Sequence, residues 1–140
     1  MSLSRKTIAF VRSARVAHLA TADTKGQPLV IPICFVFDGK EFFSAIDEKP
    51  KQVQPQSLKR LRNIGENPKV SLVIDRYDEN WRKLAYVLVL GKAKALATGR
   101  KHRRAVRLLR KKYRQYRGMA IDHRPMIFIT PTHWKSWGKF

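Results

Sequence analysis

Apolar residues follow two periods along this chain, one typical of strands and one typical of helices. Alternating or β-branched apolar runs predict strands, and apolar positions three or four residues apart predict helices. The predicted strands cover residues 15–22, 28–37, 40–47, 69–76, 84–97 and 126–132, and the predicted helices cover 4–15, 57–67 and 100–117. Most links between these strands are shorter than the crossover of about a dozen residues that parallel neighbours need. We therefore predict one mainly β domain over residues 1–140, a six-stranded antiparallel barrel with short flanking helices.

Several turn and break signals refine this prediction. Asp23-Thr24-Lys25-Gly26 has the composition of a turn, and Asp38-Gly39 is typical of a two-residue hairpin link. Pro32 has no N–H for a sheet hydrogen bond, so the second strand is expected to lie at an edge or to contain a bulge there. Gly91 predicts a second bulge, in the long fifth strand.

The charge is strongly unbalanced, and the excess is concentrated. The chain has 30 Lys and Arg against 10 Asp and Glu, a formal net charge of +20, and ten of the basic residues lie in the acid-free segment 100–117. Such a charge attracts nucleic acid, acidic membrane surfaces or phosphorylated small molecules. Within this segment an apolar stripe is expected to be buried, with the arginines turned outward. The stripe consists of His102, Val106, Leu109, Tyr113 and Tyr116, and the outward arginines are Arg103, Arg107, Arg110 and Arg114.

Several classes of protein are disfavoured by what the sequence lacks. No apolar run approaches the roughly 18 residues that cross a bilayer, and no signal peptide is evident, so a soluble cytoplasmic protein without a membrane partner is expected. Cys34 is the only cysteine and is expected to be a small buried hydrophobe within a strand. The four histidines show no metal-ligand spacing, and neither a P-loop nor a dinucleotide fingerprint is present. We expect no metal site.

An ordered set of short segments resembles one known family. The segments are RVAHLAT at 15–21, GQP at 26–28, VIPICF at 30–35 with DG at 38–39, DEKPK at 47–51, LKRLRNI at 58–64, NP at 67–68 and DRYDENW at 75–81. Together they resemble the pyridoxamine-phosphate-oxidase-like proteins, and in particular a deazaflavin-dependent bacterial subgroup. The resemblance extends from about Arg15 to Trp137, and its strength lies in the order of the segments.

The resemblance implies a fold, a cofactor and an activity. It implies a split barrel that forms a homodimer, with a flavin mononucleotide (FMN) or the 5-deazaflavin coenzyme F420 bound in each cleft between subunits. The implied activity is hydride transfer to a small unsaturated or quinone-like substrate, with the cofactor and not a side chain supplying the reactivity. The substrate-binding residues of true pyridoxamine-phosphate oxidases have no clear counterparts here, so that reaction is not expected.

Two groups of residues are candidates for holding such a cofactor. A phosphate requires fixed positive charge, which Lys49 and Lys51 in a proline-limited loop and Lys59 and Arg60 on the next helix would supply. Arg60 is the first choice, and the alternative for this group is a solvated helix face. The ring requires a flat apolar slot with backbone hydrogen bonds at its polar edge, for which the candidates are Val30, Ile31, Pro32 and Ile33; the alternative is an ordinary barrel strand. Trp81 is a candidate either to cover the ring or to lie in the dimer interface.

Two further functions stay open at this point. The first is a flavin- or deazaflavin-binding carrier that catalyses no reaction. The second is a nucleic-acid-binding protein that uses the basic helix 100–117, although Tyr113 and Tyr116 fall on its apolar stripe and are therefore expected to be core residues instead of base-stacking platforms. If the coenzyme is the deazaflavin, the same helix is expected to attract its oligoglutamate tail.

Overall fold

The computed structural model describes residues 3–46 and 58–140, which form one antiparallel sheet with three helices. The strands are β1 Ala17–Ala22, β2 Pro28–Ile33, β3 Val36–Phe37, β4 Phe42–Ala45, β5 Lys69–Arg76, β6 Ala85–Leu96 and β7 Met126–Gly138. The helices are α1 Arg5–Ser13, α2 Lys59–Glu66 and α3 Arg100–Lys112, and short 3-10 helices cover Trp81–Lys83 and Arg114–Gly118. No helix in the described part of the chain is long and apolar enough to cross a membrane.

The strand order confirms an antiparallel split barrel but corrects the number of strands. The order is β2-β1-β5-β6-β7-β4-β3, and every pair is antiparallel. The structure has seven strands instead of six because the predicted strand 28–37 is interrupted at Cys34 and Phe35. At this break the backbone of Phe35 bonds to the side chains of Tyr113 and Lys112 instead of a neighbouring strand. The two halves of the predicted strand therefore lie at opposite edges of the curled sheet.

The turn and bulge predictions are confirmed, with one change in loop length. Pro32 lies in β2, an edge strand, and the register of β6 against β7 shifts between Leu90 and Gly91. A Cβ atom at Gly91 would lie only 2.7 Å from the carbonyl oxygen of Thr130, so a side chain does not fit there. The link from β3 to β4 covers four residues instead of two, because the Asp38 carboxylate accepts the backbone N–H groups of Lys40 and Glu41 and widens the turn.

The sheet separates two clusters of buried apolar side chains. One cluster lies inside the curled sheet and includes Leu19, Leu72, Val89 and Ile127. The other lies between the outer face of β4 and β7 and helix α3, where Phe43 and Phe128 contact each other. All four residues of β4 are buried since each face of this strand packs against a different cluster.

Helix α3 is buried along the predicted stripe, and one of its expected outward arginines is not free. His102, Val106 and Leu109 are buried, as are Tyr113 and Tyr116 just beyond the helix end. Arg103, Arg107 and Arg114 are exposed as expected. The prediction for Arg110 is wrong, because its guanidinium donates to the Asp122 carboxylate and to the carbonyl oxygens of Tyr116 and Met119.

The other two helices end close to their predicted limits. Ser4 caps α1, as its side chain accepts the backbone N–H of Thr7 at 3.1 Å. Helix α2 ends at Glu66, one residue before the predicted limit, and the Asn67-Pro68 pair follows it, where a proline disfavours helical backbone in the residue before it. Ser57, the first residue of the predicted helix 57–67, lies outside the described residues.

Candidate functional site

A cavity of about 440 Å³ opens at the edge of the sheet where β2 ends. Its walls come from β2, from the start of α2, from the end of β4 and from the 3-10 helix that follows α3. Ile31, Pro32 and Ile33 line it from β2, and Arg60 lines it from α2. Four residues that the sequence selected for a ring slot and a phosphate anchor therefore line one cavity.

The other predicted site residues lie elsewhere or outside the described part of the chain. Val30 lies on the opposite face of β2 from Ile31 and is 61% exposed. Lys59 pairs with Asp23 at 3.5 Å. Trp81 belongs to a 3-10 helix between β5 and β6, is 70% exposed and does not line this cavity. Lys49 and Lys51 are outside the described residues.

Five further lining residues were not selected from the sequence. They are Val16, Cys34, Ser44, Ala45 and Tyr116. Cys34 was expected to be buried within a strand, but it is half-buried and lies at the break between β2 and β3. Ser44 is recognisable in the sequence as the one hydroxyl residue of the otherwise apolar strand β4, and the structure buries it. The position of Tyr116 in the cavity lining could not be predicted, because its spacing also fits the buried stripe of α3.

The cavity has the physical properties that a flat, phosphorylated ligand requires. Its volume lies within the range of about 300–1,000 Å³ typical of small-molecule sites. Because β2 is an edge strand, one side of its backbone makes no sheet hydrogen bonds and is available to the polar edge of a ring. Arg60 adds a half-buried positive charge to the lining.

Two polar side chains from the end of α3 fix the backbone that forms the cavity wall. The Tyr113 hydroxyl accepts the Phe35 N–H at 3.0 Å and lies 2.8 Å from the carbonyl oxygen of Arg15. The Lys112 ammonium donates to the carbonyl oxygens of Ala14 and Phe35 at 2.7 and 2.9 Å. Burial raises the pKa of Tyr113 to about 12, so its hydroxyl keeps its proton at neutral pH.

We expect Tyr113→Phe to destabilise the protein by about 1–3 kcal/mol, because it leaves the buried Phe35 N–H without an acceptor. Chemical unfolding followed by circular dichroism measures this change. Tyr77→Phe is the matched control, since the Tyr77 hydroxyl donates to the Glu79 carboxylate at the exposed surface. Equal stabilities of the two variants would show that the Tyr113 hydroxyl does not hold the strand break.

Stability is expected to rise with pH in the range where Lys112 titrates. Burial, together with the nearby charge of Arg15, lowers the pKa of Lys112 from 10.5 to about 8. Between these two values the folded chain binds fewer protons at this site than the unfolded chain, so the free energy of unfolding increases with pH. The free energy of unfolding of the wild type minus that of Lys112→Met should increase from pH 8 to 10.5 and stay constant below about pH 7. A constant difference across this range would contradict the lowered pKa.

The family of the chain follows from a comparison with known protein families. The sequence model of the family described as pyridoxamine 5'-phosphate oxidase matches residues 3–138 of this chain. The chain therefore belongs to this family. No curated protein sequence matches this chain.

Solved structures with the same fold differ in what their names say they bind. HutZ, the heme storage protein from Vibrio cholerae, is 17% identical with a TM-score of 0.76, over 99% of this chain and 95% of its own. A FAD-binding protein from Mesorhizobium loti is 21% identical with a TM-score of 0.70, over 96% of this chain and 94% of its own. An F420 reductase is 20% identical with a TM-score of 0.65, over 91% of this chain and 94% of its own. At these identities the likeness establishes the fold alone.

Proposed function

We propose that this protein is a homodimeric oxidoreductase that binds FMN or a 5-deazaflavin coenzyme in the cavity beside β2. The cavity carries the proposal, because Ile31, Pro32, Ile33 and Arg60 all line it. Apolar side chains suit a ring, and a positive charge suits a phosphate. Family membership supports it, as do similar structures described as a FAD-binding protein and an F420 reductase.

The residues of this chain would bind and orient the cofactor and take no covalent part in the reaction. When bound, the cofactor would supply hydride transfer to a small unsaturated or quinone-like substrate. Arg60 would hold the phosphate by charge-assisted hydrogen bonds. Ile31 and Ile33 would press against the ring and keep water from that side of it. The Tyr113 and Lys112 contacts to Phe35 would keep the adjoining backbone in place.

An exposed apolar face of the sheet supports the homodimer. Across β2, β1, β5 and β6 the paired residues Val30, Ala20, Ser71 and Leu90 form one row on the outer surface. Val30 is 61% and Leu90 is 42% exposed. A second row is formed by Pro32, His18, Val73 and Leu88. Contiguous apolar surface of this kind typically marks a protein interface, and this one begins at β2, the strand that also lines the cavity.

Absorbance of the protein reconstituted with each cofactor tests the proposal. After removal of free cofactor, we expect one equivalent of FMN or deazaflavin to stay bound per chain. The bound cofactor, once reduced, should then be reoxidised by members of a panel of quinones and activated alkenes. Retention of neither cofactor would contradict the proposed function.

A carrier without turnover is the second candidate, and one observation favours it. HutZ, which has the same fold, is described as a heme storage protein, so this architecture also occurs in a protein named for storage. Tight cofactor binding without reoxidation by any substrate of the panel would support the carrier over the enzyme.

A further inference from the structure

Five basic side chains in and just after α3 have no hydrogen-bond or ion-pair partner among the described residues. They are Arg100, Arg103, Arg107, Lys111 and Arg114, and all five are exposed. The other five Lys and Arg side chains of the segment 100–117 make ion pairs or hydrogen bonds. Lys101 pairs with Glu41, Arg104 with Asp38 and Arg110 with Asp122, while Lys112 and Arg117 donate to backbone carbonyl oxygens.

The partnerless side chains within α3 form a single stripe along the helix. Arg100, Arg103, Arg107 and Lys111 are separated by three, four and four residues, the spacing that places side chains on one helix face. At about 1.5 Å of rise per residue the stripe is about 16 Å long. Like charges at this spacing repel each other and cost a helix about 0.2–0.5 kcal/mol per pair. The face is therefore electrostatically unfavourable until an anion covers it.

A cavity adjoins the stripe and is separate from the proposed cofactor site. It has a volume of about 580 Å³ and is lined by Arg103 and Arg107, with Val106 and His123 beside them. Among the described residues, Asp122 is the only acidic one that lines it. Hydrogen bonds from Arg110 lower the pKa of this carboxyl and keep it ionised. The two cavities share no lining residue. An anion held here would leave the cofactor cavity open.

We propose that this stripe binds the phosphate backbone of duplex nucleic acid without reading its sequence. Phosphates along one strand of a duplex follow each other at about 3.4 Å of helix axis but wind around it. A straight stripe about 16 Å long can therefore contact about three to five phosphates, drawn from both strands. Arginine, which supplies most of the stripe, forms planar paired hydrogen bonds with phosphate oxygens. The net charge of +20 adds attraction over a longer range.

The buried tyrosines are consistent with this mode of binding. Tyr113 and Tyr116 point into the core and offer no surface for stacking on bases. Contacts to phosphates need no stacking and carry no sequence information. We therefore expect the affinity of the stripe for a duplex to depend on salt concentration and not on base sequence.

An oligoglutamate chain is the competing occupant, because it too is an extended anion. The independence of the two cavities favours nucleic acid, since a coenzyme tail begins at a phosphate held in the cofactor site. The tail would have to reach the stripe from a cavity with which it shares no residue. Competition between the two anions decides between them.

Fluorescence anisotropy of the full chain with a labelled duplex of about 20 base pairs tests the proposal. We expect log K to fall linearly with log salt concentration, with a slope of about −3 to −4.5 for three to five phosphate contacts. The triple variant Arg103→Gln, Arg107→Gln, Lys111→Gln should reduce the magnitude of this slope by about 2.7. It should weaken binding by more than about tenfold at about 50 mM salt. Duplexes of different sequence should bind equally.

The variant Arg5→Gln, Lys6→Gln, Lys25→Gln removes the same charge from exposed positions away from α3 and is the matched control. Its slope should change by less than about one. Equal losses in the two variants, or no binding of the wild type at low salt, would overturn the proposal. Displacement of the duplex by an oligoglutamate of equal charge, with tighter binding of that peptide, would assign the stripe to a carboxylate ligand and also overturn it. FMN retention by both variants shows that the cofactor cavity is intact, so this test is independent of the proposed function.

Discussion

Replacement of Arg60 by alanine is expected to weaken cofactor binding by about 10- to 150-fold. A hydrogen bond to a charged group contributes about 1.5–3 kcal/mol, which corresponds to that loss in affinity. Arg60 lines the cavity from the first turn of α2 and is half-buried. Titration of the apoprotein with cofactor, followed by absorbance or fluorescence, measures the effect. Lys51→Ala is expected to have a smaller effect in the same direction.

Arg62→Ala is the matched control for Arg60. Arg62 lies two residues further along α2, is exposed and does not line the cavity. Its removal should leave cofactor affinity within about twofold of the wild type, since an exposed charge contributes little. If both variants bound the cofactor as tightly as the wild type, the phosphate site would have to be moved, and the cavity beside Arg103 and Arg107 would be the next candidate.

The second large effect is expected from charges placed on the exposed sheet face. The double variant Val30→Glu, Leu90→Glu puts two carboxylates into one row of the proposed interface. Buried in that interface they would be unpaired, at a cost of several kcal/mol each. The dimer should therefore dissociate to a monomer in light scattering. Cofactor retention should be lost with it, because the proposed site needs both subunits.

The control for this variant carries the same two charges elsewhere. Ala9→Glu, Gln115→Glu changes two exposed residues on α1 and on the 3-10 helix after α3. It should remain a dimer and retain its cofactor. A wild-type monomer that binds the cofactor normally would contradict the role of the second subunit.

Most strand and helix positions could be predicted closely because local patterns determine them, but β7 extends to Gly138 instead of ending at the predicted Thr132. β5 has the limits that its β-branched composition predicted, and β6 is one residue shorter at each end than predicted. The buried stripe of α3 also follows directly from helical spacing. The two bulge or edge positions, Pro32 and Gly91, were predictable since each rests on the backbone chemistry of a single residue.

The break in the sheet could not be predicted, because its cause lies far away in the sequence. Residues 30–37 have an unbroken apolar pattern, and nothing local indicates that Cys34 and Phe35 leave the sheet. The interruption is stabilised by Tyr113 and Lys112, about 78 residues further along the chain. The same long-range contact explains why Cys34 lines a cavity instead of lying buried within a strand.

Four of the nine described residues that line the candidate site were predictable from local patterns. Ile31, Pro32 and Ile33 are contiguous, and the segment around Arg60 matches a family pattern, so both sides of the cavity could be selected from the sequence. Ser44, Ala45 and Tyr116 come from distant elements that only the strand order brings to the same place. Which basic side chains of α3 have a partner depended in turn on the positions of three acidic residues. Asp38, Glu41 and Asp122 pair with Arg104, Lys101 and Arg110.

A crystal structure of the protein with FMN or the deazaflavin coenzyme tests the central claim most directly. We expect the ring to lie against Ile31 and Ile33 in the cavity beside β2, at an interface between two copies of the chain. The phosphate should lie about 2.7–3.2 Å from the guanidinium nitrogens of Arg60. A cofactor bound away from β2, or one whose phosphate does not contact Arg60, would contradict the account.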